Sequence, residues 1–507
     1  MSAATPEATA NLARRNVERG RSKAAYRILG RTGLTVSALG FGAYRVDAGT
    51  PEHGMALQEA LEGGCNLIDT STNYTDGESE ERIGDTLQAM CRGERISREA
   101  TVVVSKIGYV QGRNLDLARR KEASGDPFPE MVKISGGCWH CIHPEFLADQ
   151  LTRSLQRLKL ERLDVCLLHN PEYFLEQAHD PAKREEARHE FYRRIRAAFA
   201  HLEKEVQAGR IAWYGVSSNS FGAEPGSPDA TSLGRMLEAA RKAAKARSGD
   251  EKEHRFAVAQ LPMNLFEHDP LTVRKEGPSG EFSTLTFAAD QQVGILVNRP
   301  LNAFHRGELV RLADFRLDAP PISLDSALAA VARLENELER SLGPEVKAGT
   351  GRSAVEWFSW GEQLQGTADR IGGYEHWQAI EDQQISPRLF HSVRTVRSSM
   401  AAGPAEQFEA WLETYLSALG DLLAVLRSQS AARSQERSDR IASALREDLP
   451  TALRDESLSR KALHAVASVP GVTCVLNGMR RPAYVADSME ILKWEPIPGA
   501  EKLFGRF

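Results

Sequence analysis

The sequence predicts an α/β fold: a (β/α)8 TIM barrel with an N-terminal β-hairpin and a helical insert between strands 7 and 8. Three observations carry that expectation. Short apolar strands recur at 38–42, 67–69, 101–106, 163–169, 211–217, 257–262, 294–299 and 472–477, with helix-patterned stretches such as 54–62, 144–158 and 191–207 between most of them. Chemistry-bearing side chains close several of those strands at their C-terminal ends, the edge where such barrels carry their sites. No Gly-x-Gly-x-x-Gly or Walker-type loop follows a strand, which weakens the alternative of a doubly wound sheet.

The chain has 507 residues, more than one ordinary core holds, so two or three domains or one domain with a large insert are expected. With 41% apolar and 26% charged residues it reads as globular. A formal net charge of −5 gives no nucleic-acid footprint, and no apolar run approaches the roughly 18 residues of a membrane span. Residues 1–20 are polar and Ala-rich without an apolar signal core, and six cysteines make no disulfide scaffold; a reducing cytoplasm is the expected location.

In order, residues 1–25 are expected to be a flexible or loosely helical tail. The segments 26–30 and 34–37 flank Arg31-Thr32-Gly33 and read as the hairpin. The barrel is assigned to 26–313 and 456–507. A long loop at 107–143 follows the third strand and is expected over the top face. The charge-dense stretch 241–254 reads as the solvated end of the fifth helix. Alternation then stops, and 314–455 is expected to be the helical insert. Leu324, Leu328, Val331, Leu334, Leu338 and Leu342 share a helical face that Gly343-Pro344 should stop. Phe408, Trp411, Tyr415, Leu419, Leu422 and Leu426 make a second stripe, and the Ser- and Arg-rich stretch 427–440 reads as a loop or solvated helix end. The stripes are expected to pair and pack on the barrel's flank, adding stability or a homo-oligomer contact rather than a catalytic side chain.

The stretch Asn66 to Gly84 organises the rest. The apolar pair Leu67-Ile68 ends in Asp69, a polar turn carries Tyr74, and Ser79 is expected to cap a helix with Glu80 and Glu81 in its first turn. The third strand runs into Lys106 and the fourth into His169. In a barrel these strand ends are neighbours, so Asp69, Tyr74, Lys106 and His169 are expected to converge at its mouth.

That set suits carbonyl reduction by hydride, which needs a proton donor at the developing alkoxide. A free tyrosine titrates near 10, so matching it to neutral pH takes about 3 units, roughly 4 kcal/mol. One ammonium at about 4 Å supplies that order of energy. Lys106 is expected to be that ammonium, with Asp69 holding it and His169 orienting the substrate oxygen or sharing the proton relay. No side chain carries a hydride, so a nicotinamide must.

Asp69-Thr70, Tyr74, Ser79-Glu80 and Ile83-Gly84 together resemble the aldo-keto reductase signature, and the run Asp164 to His169 resembles that family's Asp-x-x-x-x-His segment. The resemblance covers about 26–312 and 458–507 and implies the same tetrad. It also implies cofactor contacts. Ser217, with Ser218 or Asn219, matches the segment that holds the nicotinamide carboxamide, and Gln260 the Gln-x-x-x-Asn segment that ends here in Asn264. At strand seven the family's stacking tyrosine is replaced by Asn298; Arg299, ahead of Pro300 and Leu301, is expected to meet the pyrophosphate. Gly478, Arg480 and Arg481 fall in the turn that binds the adenosine 2′-phosphate, and Ser488 falls near the family's following Asn. The resemblance therefore implies an NADPH-dependent oxidoreductase, NADPH in preference to NADH, acting on an aldehyde, ketone or sugar hydroxyl. The competing reading is a nicotinamide-binding regulatory or assembly subunit that uses the insert to bind a partner.

One motif stands apart. Cys138-Trp139-His140-Cys141-Ile142-His143 carries a Cys-x-x-Cys with interleaved histidines. Four ligands within so short a run rarely wrap one metal, and there is no second Cys-x-x-Cys. These residues are expected to line the substrate side of the long third loop and to lead into the helix at 144–158, with no metal bound.

Overall fold

In the computed structural model of the chain, which describes residues 1–177, 180–366 and 370–507, eight parallel strands close into a barrel. In chain order they are β1 Leu39–Gly42, β2 Leu67–Asp69, β3 Val102–Ile107, β4 Leu163–His169, β5 Ile211–Ser217, β6 Phe256–Pro262, β7 Gly294–Asn298 and β8 Cys474–Asn477. Each pairs with its sequence neighbour, and β8 closes on β1 through Val475 opposite Leu39. The strands are continuous apolar runs because both faces are buried, one by barrel interior and one by helices. Val102, Val104, Val165, Leu167, Val258 and Leu296 fill the interior with Leu29, Leu34 and Val36.

Those last three come from the predicted hairpin, Tyr26–Ile28 antiparallel to Thr35–Ser37. The segment 1–25, expected to be a flexible or loosely helical tail, holds a well-formed helix. A helix spans Pro6–Glu18, capped by Thr5, and is pinned where it meets the barrel. Thr5 donates its N–H to the Glu99 carbonyl, and the Thr9 hydroxyl accepts the Thr35 N–H at 3.1 Å. Ala4 donates its N–H to Asp164 at 2.7 Å. Polar, Ala-rich residues make a covering helix here because short hydroxyls, not apolar bulk, meet the barrel's lower rim.

Asp164 is also buried against Arg98, with Nη2 to Oδ2 at 2.8 Å, and Oδ2 accepts the Val103 N–H at 2.7 Å. On the outer ring, the helix Glu78–Arg92 begins after Gly77, whose φ of 92° favours glycine. Ser79 is therefore not the cap; its hydroxyl donates to the Ala43 carbonyl and bonds Thr70. A Cβ at Gly84 would lie 2.4 Å from the Arg157 carbonyl of the helix Pro144–Leu158. The buried Glu80 beside it accepts from Arg157, Ser105 and Ser154.

The chain divides into two compact units, Met1–Val310 with Asp448–Phe507, and Arg311–Glu447. The second is helical. Its core gathers Val331, Leu334, Leu338, Phe408, Leu419 and Leu422 around the fully buried Trp377. Trp411 stacks on Tyr415 at 4.6 Å, and the Tyr415 hydroxyl donates to Glu335 at 2.9 Å.

Two expectations in this unit are corrected. Gly343-Pro344 does not stop the first helix, which runs Leu324–Thr350 with Pro344 inside it. Leu342 and Val346, on either side of the proline, are both buried, and that packing outweighs the local cost of the lost backbone bond. Residues 427–440 are not a loop but the interior of a helix spanning Ala402–Leu445. Ser430, Ser434 and Ser438 recur at helical spacing and are buried. The Ser434 hydroxyl accepts the Tyr374 N–H at 2.9 Å, and Ser438 donates to the Ala313 carbonyl at 2.7 Å. The stripe is a packing face made of small polar residues.

Candidate active site

The C-terminal ends of β2, β3 and β4 bring Asp69, Lys106 and His169 to one rim, with Tyr74 in the turn after β2. Lys106 is fully buried, and its Nζ donates to both Asp69 oxygens at 2.7 and 2.6 Å. Burial is the largest influence on the ammonium and lowers its pKa, while Asp69 works against that fall. Gln260 on β6 donates to Asp69 Oδ1 at 2.7 Å. Its amide oxygen accepts from Ser217 on β5 at 3.2 Å and from Asn298 on β7 at 3.3 Å. One amide thus ties four strand ends together.

The Tyr74 ring lies over Lys106 Nζ, 4.9 Å from nitrogen to centroid, and meets His169 edge-on at 5.9 Å. Tyr44, after β1, packs edge-on against its other side at 5.1 Å and is largely exposed. The turn is held by unusual backbone: Thr75 and Asp76 take φ of 45° and 59°. The Thr75 hydroxyl donates to the Val46 carbonyl, and Asp76 accepts the Arg113 N–H at 2.7 Å. The expectation that Lys106 draws the phenol toward neutrality is overturned. Burial first, then Asp69 and Tyr44, push Tyr74 well above the ordinary tyrosine value. Asp69 neutralises the ammonium at close range, so the phenol feels both members of the pair.

His169 Nδ1 lies 2.9 Å from the Ser71 hydroxyl. Burial, then Lys106 and His140, drive its pKa well below the usual histidine range, which leaves a neutral ring. His140 donates from Nε2 to the His169 carbonyl at 2.7 Å, and burial takes it down to about 4. A Cβ at Gly108 would sit 2.4 Å from that same carbonyl and 2.7 Å from His140 Nε2, so only glycine admits this approach. His140 belongs to a three-stranded sheet in the long third loop, Tyr109–Val110, Val132–Ser135 and Cys138–His140. That sheet presents Tyr109 edge-on to His169 at 4.6 Å and to Tyr173 at 5.4 Å. Cys138 is half-buried and accepts from Gln111 at 3.3 Å; Cys141 is buried, and burial pushes its thiol up to about 12.

The residues matched to cofactor contacts are placed as follows. Ser217 and Gln260 face the tetrad through the amide network. The Ser218 hydroxyl bonds Thr231 at 3.0 Å and Ser220 at 3.3 Å, inside its own loop. Asn219 donates its N–H to the buried Glu172 at 2.7 Å, and burial raises that carboxyl to about 8. Asn298 Oδ1 is buried with no hydrogen-bond partner among the described residues. Arg299, with φ of 53°, pairs with Glu267 at 2.9 Å, and Leu301 is half-buried in the following turn. Gly478 opens onto empty space, Arg480 is half-buried, and the exposed Arg481 lies 3.8 Å from Glu52. Asn477, at the end of β8, donates to Ser488 at 2.7 Å.

Sequence reasoning passed over Ser71, Tyr44, Tyr109, Tyr173 and Glu172. Ser71 stands two residues after Asp69 and was legible by position; the others depend on loop paths that spacing does not give.

The fold is an α/β parallel barrel that carries at its mouth a buried Lys–Asp pair beneath a tyrosine and beside a histidine that burial keeps neutral. The sequence profile of the Aldo/keto reductase family matches residues 38–273, the stretch that carries the first six strands of the barrel. Among curated proteins, an NADH-specific methylglyoxal reductase of Escherichia coli (strain K12) is 30% identical over 149 residues, 28% of this chain and 40% of that protein. A D-threo-aldose 1-dehydrogenase of a Pseudomonas species is 28% identical over 193 residues, 37% of this chain and 51% of that protein. The chain thus spans about half, or less, of the curated relatives it matches. A glycerol dehydrogenase structure from Gluconobacter oxydans is similar at 16% identity and a TM-score of 0.47, over 95% of this chain and 94% of that one.

Proposed function

We propose that this chain is an NADPH-dependent oxidoreductase, with Tyr74 as the general acid toward an aldehyde or ketone and the general base toward a sugar hydroxyl. The observation that carries it is the stack of Lys106 beneath Tyr74, with both Asp69 oxygens on the ammonium. A bound nicotinamide would supply the hydride. The residues present fit one: the orphaned Asn298 Oδ1 is a buried acceptor beside Gln260 and Ser217, where a carboxamide N–H finds a partner. Arg480 and Arg481 suit a 2′-phosphate, and Arg299 a pyrophosphate, each as a guanidinium near open backbone.

The raised phenol is consistent with this role. Tyr74 keeps its proton at neutral pH and gives it up only to a stronger base, which an alkoxide is. Asp69 and Gln260 hold Lys106 in place, and the neutral His169 bonds the substrate beside the reacting oxygen. The relatives' names, methylglyoxal reductase and D-threo-aldose 1-dehydrogenase, support a small carbonyl or polyhydroxy substrate. The six free thiols and the lack of any described helix long and apolar enough to cross a membrane support a cytoplasmic setting.

The test is loss of the reduced-nicotinamide absorbance with NADPH and NADH over a panel of aldehydes, ketones and sugars, beside a fluorescence titration of each cofactor. Binding with turnover is expected, NADPH ahead of NADH. Binding without turnover of any substrate would overturn the proposal.

A further inference from the structure

The loop 219–231 joins β5 to the helix Leu233–Ser248 and starts directly after Ser217 and Ser218. Two cations hold its backbone from outside. Arg188 donates to the carbonyls of Ser227 at 2.7 Å and Ala230 at 3.2 Å. Lys275 reaches in from the hairpin after β6, where Arg274–Glu276 pairs with Phe282–Ser283. Its Nζ donates to the carbonyls of Ala223 at 2.7 Å, Thr231 at 2.9 Å and Ser220 at 3.4 Å. An ammonium has three hydrogens and here meets three carbonyls, which draw the two ends of the loop onto one point.

A lysine drawn in from solvent ordinarily meets a carboxylate. Among the described residues, what this Nζ bonds is main-chain oxygen alone. The adjacent Glu276 is spent elsewhere. It accepts the N–H groups of Leu233 and Gly234, both at 2.9 Å, and the Ser232 hydroxyl at 2.7 Å. Burial is the largest influence on Lys275 and lowers it to about 8; Glu276, Glu224 and Asp229 work against that fall, and Arg188 adds to it. The side chain is therefore charged at neutral pH. An arc of backbone carbonyls is what a protein offers a potassium ion. The spacing exceeds the about 2.3–2.6 Å of calcium and the about 2.0–2.1 Å of magnesium, and suits a large monovalent cation.

We infer that the carbonyls of Ser220, Ala223 and Thr231 form a monovalent-cation site that Lys275 fills with its own ammonium, and that the loop held in this way keeps Ser217 to Asn219 set for the nicotinamide. Lys275 is a positioning residue, acting through the loop backbone. Without a cation, the three carbonyls face one another unpaired, and the loop must open to hydrate them. The cofactor half of this inference rests on the oxidoreductase reading; the cation half does not.

Two variants of the full chain test it at neutral pH. Lys275→Ala leaves room for an added cation, and Lys275→Met fills that room without a charge. Each is measured in ammonium, potassium or tetramethylammonium chloride at one ionic strength, the last being too large to enter. Hydrogen exchange of the amides in 219–231, read without cofactor, should be faster than wild type by about tenfold or more in both variants. Ammonium and potassium should restore protection in Lys275→Ala and not in Lys275→Met. Wild-type exchange in Lys275→Met, or no restoration in Lys275→Ala, overturns the cation site. A Lys275→Ala chain that folds only in ammonium or potassium supports it. Fluorescence titration then reads NADPH. Affinity should fall about tenfold in both variants and return with ammonium in Lys275→Ala alone. Unchanged affinity beside faster exchange overturns the positioning role. A wild type that binds no nicotinamide overturns the oxidoreductase reading and the positioning role, and the exchange data decide the cation site separately.

Discussion

Two buried ion pairs, one near each end of the barrel, are made of the same chemistry and arranged to opposite ends. At the lower rim, Asp164 takes Arg98 and two main-chain N–H groups, from Ala4 and Val103. Backbone donors end there, and the carboxylate is sealed. At the mouth, Asp69 takes Lys106 and the side chain of Gln260, whose amide oxygen accepts from Ser217 and from the Asn298 amide, while the Asn298 oxygen has no partner among the described residues. Its ammonium faces a tyrosine ring instead of a carbonyl. A pair whose donors are backbone has nowhere to pass charge; a pair whose donors are side chains remains connected to whatever enters.

The largest expected effect tests the open pair. Tyr74→Phe should lower kcat by about 10²–10⁴-fold while cofactor affinity stays nearly unchanged, since only a hydroxyl is removed. Retention of more than about a tenth of the rate would take Tyr74 out of the acid role. Next, Lys106→Met and Arg98→Met each strand a buried carboxylate, at a cost of about 3–5 kcal/mol. Urea unfolding should show similar losses for both. Turnover per folded molecule should vanish only in Lys106→Met, and equal loss in both would erase the contrast between the pairs.

A smaller effect concerns the mouth's outer charges. Replacing Arg480 and Arg481 with Ala should weaken NADPH by about tenfold or more relative to NADH, because only NADPH carries the 2′-phosphate. Titration showing equal weakening would remove that assignment. The smallest effect on turnover is expected at Glu172. Burial raises its carboxyl from 4.5 to about 8, so the folded chain keeps a proton that the unfolded chain has released. Its contribution to stability is therefore full below pH 4.5 and is lost as pH rises toward 8. Glu172→Gln should gain on the wild type by about 3–4 kcal/mol between pH 5 and pH 8. A gap that stays flat with pH would mean that Glu172 is ionised throughout.

The eight strands and the gathering of Asp69, Tyr74, Lys106 and His169 were legible because parallel strands are apolar throughout and put their last residue at one rim. What escaped was set by contacts distant in sequence. Nothing in the polar run 1–25 announces that Thr5 and Thr9 find partners at Glu99 and Thr35. Pro344 and the serines at 430, 434 and 438 carry local signals for a stop and a loop, and burial reversed both. The direction of the Tyr74 shift escaped for another reason. The sequence names the ammonium, but only the geometry shows Asp69 holding it with both oxygens.

The two left-handed residues after Tyr74 have a consequence for anyone breeding a tougher version of this protein. Thr75 and Asp76 each hold a backbone conformation costing about 1–3 kcal/mol for a residue with a side chain. Glycine at either place relieves that tension and frees the turn. A selection run on heat alone would collect such changes early, because they are cheap and local. Each also cuts a tether, to the Val46 carbonyl or to the Arg113 amide, that keeps the phenol over the ammonium. Heat tolerance and turnover should therefore drift apart in that lineage, and a screen alternating the two pressures would keep both threonine and aspartate.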